Sequence, residues 1–199
     1  MNASANTASL MDTIFPRTTA MQNALLIASG SLLVALCARL SLPVPFSPVP
    51  ITGQTFAVLL IGATFGPRRA AATMLLYLAE GAAGLPVFAP GGLPGLLRFA
   101  GPTAGFLLSY PLAAFALGWM MERLPRRLGY WFAAVTVSMA IIYVSGVSWL
   151  MAVTQSSLSQ AVAMGLLPFL PGAILKVILV TAALPASWWA AGKRRSSRS

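Results

Sequence analysis

Charged side chains are too scarce in this chain to cover the surface of a soluble protein. Only 8% of its residues are Asp, Glu, Lys or Arg, whereas 58% are hydrophobic and the mean hydropathy is +0.82. A soluble domain carries about 25% charged residues because its surface faces water. The composition therefore excludes an ordinary soluble enzyme and indicates one integral membrane domain. The chain of 199 residues is long enough for about six spanning helices of ~20 residues with short connections.

Six apolar segments, separated by Gly, Pro and charged residues, predict the spanning helices of an all-α membrane bundle. The predicted segments are residues 21–40, 51–66, 68–83, 102–121, 130–155 and 171–191. Residues 1–20 are predicted to be a polar N-terminal tail and residues 192–199 a basic C-terminal tail, so that the membrane domain covers 21–191. Gly66-Pro-Arg-Arg joins the second and third segments and predicts a tight helical hairpin.

The distribution of Lys and Arg predicts the orientation in the membrane. Cytoplasmic loops of membrane proteins are enriched in Lys and Arg. With the N-terminus inside, ten of the 13 positive residues fall on the cytoplasmic side: Arg17, Arg68, Arg69, Arg123, Arg126, Arg127, Lys193, Arg194, Arg195 and Arg198. We therefore expect both termini in the cytoplasm. Arg39, Arg98 and Lys176 then lie toward the opposite side of the membrane.

The chain lacks the residues from which common catalytic and metal sites are built. It contains no His, a single cysteine, Cys37, and only three acidic residues, Asp12, Glu80 and Glu122. Zinc clusters, Ser-His-Asp triads and two-metal sites cannot be assembled from this set. We expect no metal, no cofactor and no enzymatic activity, and a small integral membrane enzyme is the weaker alternative. The net charge of +10 is not clustered on a soluble face, so no nucleic-acid partner is expected.

Two positive residues on the outer side are candidates for ligand binding. Lys176 lies about five residues into the last segment, where it either extends to the membrane surface or faces a ligand inside the bundle. Arg98 lies in a Gly-rich loop and either contacts lipid headgroups or clamps a carboxylate. Glu80 lies deep in an apolar segment, so we expect it to face inward or to pair with one of these cations.

Small residues recur along one face of the first predicted helix. They are Ala24, Ala28, Ser31 and Ala35. This spacing lets the backbone of another helix approach closely. The face is a candidate docking surface for a partner protein, although an Ala-rich segment also produces such spacings by chance.

Four motifs occur in order along the chain. They are Pro43-Val-Pro-Phe-Ser-Pro-Val-Pro-Ile-Thr-Gly-Gln-Thr-Phe-Ala-Val-Leu-Leu with Gly66-Pro-Arg-Arg, Leu76-Tyr-Leu-Ala-Glu-Gly-Ala-Ala-Gly-Leu-Pro-Val-Phe-Ala, Gly101-Pro-Thr-Ala-Gly-Phe-Leu-Leu-Ser-Tyr-Pro, and Leu167-Pro-Phe-Leu-Pro-Gly followed by Lys176. Over about residues 21–190 they resemble the BioY family, the biotin-binding S components of energy-coupling-factor (ECF) transporters. Ala104 and Phe106 depart conservatively from the family's Gly-Pro-Thr-Gly-Gly-Tyr motif.

This resemblance implies a function and partners. The fold would be a six-helix ECF S-component bundle in the bacterial cytoplasmic (inner) membrane, with a pocket on the extracytoplasmic half. The protein would capture biotin with high affinity for uptake. A transmembrane coupling protein and ATP-binding cassette ATPases would dock on the first helix, or the protein would self-associate and work alone. The chain has no phosphate-binding loop of the Gly-x-x-x-x-Gly-Lys-Ser/Thr type, so ATP hydrolysis would belong to a partner.

The resemblance also implies a set of substrate-binding residues. Arg98 or Lys176 would bind the biotin carboxylate. The expected hydrogen-bonding and wall residues are Thr52, Gln54, Thr103, Tyr110, Phe88, Phe106, Gly101 and Gly105. The family usually has an Asp three residues before the Lys, where this chain has Ala173. The substitution removes an acceptor for a ring N–H; either Glu80 supplies the missing acceptor, or this chain is a variant with weakened binding. It leaves another small vitamin or a precursor such as dethiobiotin open as the ligand.

Overall fold

The structure is a computed structural model that describes residues 9–15 and 18–196, with side chains up to Lys193. The remaining parts of both predicted tails lie outside these residues. Four of the ten positive side chains assigned above to the cytoplasm also lie outside the described side chains: Arg17, Arg194, Arg195 and Arg198.

The described residues form a bundle of α-helices with one small β-ribbon. The helices are α1 (Leu10–Ile14), α2 (Ala20–Arg39), α3 (Gln54–Phe65), α4 (Pro67–Ala82), α5 (Ala104–Arg123), α6 (Leu128–Thr154), α7 (Leu158–Gly165) and α8 (Leu170–Ser196). Strands β1 (Ser41–Leu42) and β2 (Ile51–Thr52) pair antiparallel, with Ser41 opposite Thr52. Gly95–Ala100 and Leu167–Phe169 form 3-10 turns.

Each predicted apolar segment overlaps one of these helices, namely α2, α3, α4, α5, α6 or α8. In the described part of the chain, four helical regions are long and apolar enough to cross a membrane: α2, α5, α6 and Leu158–Lys193, which contains α8. Helices α3 and α4 are shorter, with 12 and 16 residues. The protein is thus mostly helical and of the multi-pass membrane type.

Two local differences from the predicted segments have simple causes. The second segment does not begin as a helix at residue 51, because Ile51 and Thr52 pair with β1 and α3 starts only at Gln54. Helix α7 lies where the sequence predicts only a connection. It begins with a capping box, in which the Ser157 backbone N–H donates to Gln160 Oε1 at 3.0 Å. A short capped helix of eight residues lacks the long apolar run on which the prediction depended.

Helix α5 is the centre of the bundle and packs against α3, α4 and α6. Close approach at its end near the α3–α4 hairpin depends on Gly118, because a Cβ there would lie 2.6 Å from the backbone nitrogen of Pro67. One apolar cluster surrounds Tyr77, Ile61 and Tyr110. A second cluster joins Leu117 of α5 to residues of α6 and α8.

The two ends of the bundle differ in structure. At one end, which we call the loop end, lie the connections 40–53, 83–103 and 155–169. They are tied together by hydrogen bonds, for example from Ser47 Oγ to the Met164 carbonyl at 2.7 Å. At the other end, the turn end, Arg69 forms an ion pair with Asp12 of α1 at 2.6 Å and donates to Asn23 Oδ1 of α2 at 2.8 Å. These two contacts of Arg69 hold α1 and α2 together at the end of the bundle away from the loops.

Candidate ligand-binding site

A cavity lies at the loop end, between helices α3, α5, α6 and α8 and the connections that cover them. It has a water-accessible volume of about 50 Å³. Its lining residues are Val49, Pro50, Thr52, Gln54, Thr55, Ala89, Arg98, Thr103, Phe106, Leu107, Tyr110, Tyr143, Phe169 and Lys176. Seven of the twelve residues expected to bind substrate are therefore brought together here.

Lys176 points into the bundle from α8. Its ammonium group donates to the Thr52 carbonyl at 2.6 Å and to Thr55 Oγ1 at 2.9 Å. Of the two alternatives that the sequence offers for Lys176, the structure therefore shows the one in which the side chain faces the inside of the bundle. The two bonds connect α8 to the first turn of α3 and leave an ammonium group at the cavity wall.

Arg98 is also turned inward, although it lies in the 3-10 turn Gly95–Ala100 of the connection above the cavity. Its side chain is only 5% exposed, and one guanidinium nitrogen donates to the Ala89 carbonyl at 2.7 Å. The Phe88 ring centre lies 5.8 Å from the guanidinium carbon. The Arg98 Nε–H is buried without a hydrogen-bond partner. Burial lowers the pKa of Arg98, because desolvation disfavours the charged form.

A chain of hydrogen bonds fixes the polar side chains at the start of α3. Thr52 Oγ1 donates to Gln54 Oε1 at 3.0 Å, and Gln54 Nε2 donates to the Tyr77 hydroxyl. The Tyr77 hydroxyl in turn donates to the Val87 carbonyl at 3.1 Å. The chain therefore links the cavity wall to the connection that covers it. Tyr77 was not among the residues expected to bind substrate, although it lies within the second of the four family motifs.

Aromatic rings form the apolar part of the site. Phe106 packs edge-to-face on Tyr143 with ring centres 6.2 Å apart. Phe88 packs edge-to-face on Tyr77 at 5.4 Å and on Phe99 at 5.8 Å. Phe88 lies behind Arg98 and does not line the cavity itself. These contacts hold the wall residues in fixed positions.

Four other predicted site residues lie outside the cavity lining. The Gly101 carbonyl accepts a hydrogen bond from Trp149 Nε1 at 2.9 Å, and the Gly105 carbonyl accepts one from Ser145 Oγ at 2.9 Å. Both glycines therefore join α5 and its N-terminal connection to α6. Ala173 is 5% exposed and belongs to the second apolar cluster.

Glu80 is the fourth predicted site residue that lies outside the cavity lining. It accepts a hydrogen bond from Ser31 Oγ of α2. Among the described residues it forms no ion pair with Arg98 or Lys176, contrary to one of the two sequence-based alternatives. A buried hydroxyl donor supplies the hydrogen bond for which a cation was expected.

The small residues of α2 are divided between two environments. Ala24 and Ala28 are exposed, whereas Ser31 and Ala35 are buried within the bundle. Ser31 and Ala35, on the half of this face nearer the loop end, pack inside the bundle, where Ser31 donates a hydrogen bond to Glu80. Only the half near the turn end is open to another helix.

The charge of the cavity limits the ligands that it can hold. Its lining contains two cations, Arg98 and Lys176, and no Asp or Glu. Such a site suits an anion whose apolar body packs against aromatic rings. Seven lining residues were not identified from the sequence: Val49, Pro50, Thr55, Ala89, Leu107, Tyr143 and Phe169. Tyr143, a hydroxyl-bearing residue in the middle of an apolar segment, carried the clearest signal among them.

Comparison with known proteins identifies the family. A family model described as the BioY family matches residues 6–193. The chain is 38% identical over 161 residues to a biotin transporter BioY of Rhodobacter capsulatus, covering 75% of this chain and 84% of the relative. It is 34% identical over 158 residues to a biotin transporter BioY of Rhizobium etli, covering 75% and 83%. It is 35% identical over 156 residues to the biotin transporter BioY2 of Lactococcus lactis, covering 78% and 84%.

A solved structure shows the same fold. It is a crystal structure of the S-component for biotin from an ECF-type ABC transporter, with a TM-score of 0.75 and 22% sequence identity. The match covers 92% of this chain and 96% of that chain. On the strength of the family model and the three relatives, the chain belongs to the BioY family.

Proposed function

We propose that this protein is the biotin-binding S component of an ECF-type transporter and captures biotin on the extracytoplasmic side. The observation that carries the proposal is the buried cavity with two cations, several hydroxyl and amide groups and no acidic side chain. The names of the BioY relatives are those of biotin transporters, and the fold is that of a biotin S-component. Those names describe transporters, in agreement with the expectation that the chain is not an enzyme.

The chemistry of biotin matches the polar and apolar groups that line the cavity. Biotin has a cyclic urea on a fused, largely apolar ring system and a carboxylate at the end of an aliphatic chain. We assign the carboxylate to Arg98, whose buried Nε–H has no partner. We assign the urea carbonyl to Lys176, beside the Thr52 carbonyl and the Thr55 hydroxyl group. The Phe106 ring supports the apolar part of the ligand.

The membrane arrangement is the second part of the proposal. The six helices α2 to α6 and α8 would together cross the bacterial cytoplasmic membrane, with both termini in the cytoplasm and the loop end outside. The charge pattern supports this orientation, since no Lys or Arg occurs between Arg127 and Lys176. The ECF coupling protein and its ATPases would bind near the turn end, at the open part of α2. Self-association is the alternative for a protein that works without them.

Calorimetry in detergent tests the ligand assignment. We expect biotin to bind at the cavity, and biotin methyl ester, which carries no negative charge, to bind more weakly. Arg98→Gln should weaken biotin binding about tenfold to hundredfold, because a hydrogen bond to a charged group contributes about 1.5–3 kcal/mol. Arg123→Gln is the matched control, since Arg123 stacks on Trp119 at the turn end.

A ligand panel then separates biotin from its alternatives. Tighter binding of dethiobiotin than of biotin would assign the protein to the precursor, an alternative that Ala173 keeps open. Failure of wild-type protein to bind either compound would contradict the proposed function. An equal loss of affinity in Arg123→Gln and Arg98→Gln would contradict the assignment of the carboxylate to Arg98.

Cysteine labelling in intact cells tests the orientation. In a Cys37→Ala background, we expect an impermeant maleimide to label Leu96→Cys from outside and Gly129→Cys only after lysis. Leu96 is 71% exposed, and a Cβ added at Gly129 meets no atom within 4 Å, so both positions accept the substitution. Labelling of Gly129→Cys in intact cells, without labelling of Leu96→Cys, would reverse the proposed topology.

A further inference from the structure

A second concave surface lies above the cavity at the loop end. We call it the outer groove; its water-accessible volume is about 400 Å³. Its lining residues are Pro48, Pro50, Pro90, Gly91, Gly92, Leu93, Pro94, Arg98, Gly101, Pro102 and Thr103. Pro50, Arg98 and Thr103 also line the cavity. The groove and the cavity are therefore separated by a wall of only a few side chains, and Arg98 is the charged member of that wall.

The position of the Arg98 guanidinium depends on Gly92. A Cβ at residue 92 would overlap the Nη1 and Cζ atoms of Arg98, so that any larger residue excludes the guanidinium from its present place. The backbone of Gly92 is not in the left-handed region, and the requirement for glycine there is one of space. The group displaced would be the far end of a flexible side chain. A substitution at Gly92 should therefore move the guanidinium without breaking the fold.

The hydrogen bonding of Arg98 is incomplete in this position. Arg98 is only 5% exposed, and its Nε–H has no hydrogen-bond partner. Within the described residues no Asp or Glu forms an ion pair with it. A buried cation with an unsatisfied donor is costly unless an anion completes it. Arg98, which carries this unpartnered donor, lines both the outer groove and the cavity.

We infer that Gly92 is a positioning residue that seats Arg98 as a gate between the outer groove and the cavity, so that the ligand carboxylate reaches Arg98 through the groove. The inference rests on the proposed function and extends it to the access route and to the residue that sets carboxylate selectivity. The Ala89 carbonyl accepts one hydrogen bond from the guanidinium and leaves its Nε–H without a partner. A ligand carboxylate arriving from the groove adds an acceptor to the same guanidinium.

The first test compares ligands with and without a carboxylate. We expect Gly92→Ala to weaken biotin binding about tenfold to hundredfold, as expected for the loss of a charge-assisted hydrogen bond. Its affinity for biotin methyl ester should change less than about threefold, because the displaced guanidinium contributes little to a neutral ligand. In an Arg98→Gln background, Gly92→Ala should have no further effect on biotin affinity, since the two changes act through one group.

Gly84→Ala is the matched control in the same connection. An added Cβ at Gly84 meets no atom within 4 Å, although its φ of +91° makes Ala strained there. We therefore expect a lower melting temperature with unchanged biotin affinity. Equal weakening of biotin and its methyl ester by Gly92→Ala, or full additivity with Arg98→Gln, would overturn the inference. If wild-type protein binds no biotin, the proposed function fails instead.

The second test does not alter Gly92 or Arg98. Leu93 lines the outer groove and is 51% exposed, whereas Leu96 is 71% exposed and lies outside the groove. In a Cys37→Ala background, labelling of Leu93→Cys with a bulky maleimide should slow biotin association at least about tenfold by stopped-flow fluorescence. The same label on Leu96→Cys should leave the association rate unchanged. Equal association rates for the labelled and unlabelled Leu93→Cys protein would exclude the groove as the access route.

Discussion

Replacement of Lys176 by Ala is expected to lower the affinity for biotin at least about hundredfold. The change removes a half-buried cation from the cavity wall together with its bonds to the Thr52 carbonyl and Thr55 Oγ1. A hydrogen bond from a charged group to the ligand contributes about 1.5–3 kcal/mol. If the urea carbonyl of bound biotin is left buried without a donor, the complex loses about 1–3 kcal/mol more. Each 1.4 kcal/mol corresponds to about a factor of ten in affinity. Isothermal titration calorimetry of purified protein in detergent measures the loss.

Two companion variants make this result interpretable. Lys193→Ala changes the same residue type on the same helix, but Lys193 stacks on Trp189 at the turn end, so its affinity should equal that of wild type. Lys176→Arg keeps the positive charge and should bind more tightly than Lys176→Ala. Because Lys176 also connects α8 to α3, the melting temperature of each variant is measured in parallel. Wild-type affinity in a folded Lys176→Ala protein would remove Lys176 from the binding site.

The positions of the helices could be predicted from the sequence, because apolar runs interrupted by Gly, Pro and charge are a long-range signal. The short helix α7 could not be predicted in this way. Its signal is local, a Ser157–Gln160 capping box, and its eight residues carry no membrane-length apolar run. The β-ribbon likewise depends on the pairing of Ser41 with Thr52 across the connection 43–50, which no periodicity reveals.

The site could be predicted in part for a different reason. Residues from the family motifs at the loop end, such as Gln54 and Thr103, do line the cavity, because the motifs follow chain connections that meet at one end. The rotation of each helix could not be predicted. A membrane helix that is apolar on all sides gives no amphipathic signal of which face turns inward. The sequence therefore did not show that Gly105 packs against α6 or that Ala173 lies in the second apolar cluster.

Replacement of Ala28 by Trp is expected to abolish transport while leaving ligand binding intact. Ala28 is exposed on α2 near the turn end, and it does not line the cavity. Small side chains allow two membrane helices to approach until their backbones are in contact, and an indole ring at that place prevents it. We therefore expect biotin uptake by cells that also produce the ECF module to fall at least about tenfold. The affinity of the isolated protein for biotin should remain that of wild type.

Ser29→Trp is the matched control for this variant. Ser29 is also exposed and lies at nearly the same depth, but it is displaced by about 100° around α2. A Trp at residue 29 therefore faces away from a helix that docks on Ala24 and Ala28, and uptake should be close to that of wild type. Equal loss of uptake in both variants would indicate a general disturbance of α2. If Ala28→Trp lost uptake and biotin affinity together, Ala28 would serve internal packing, as the buried Ser31 and Ala35 of the same face do. Docking would then have to involve another surface of the bundle.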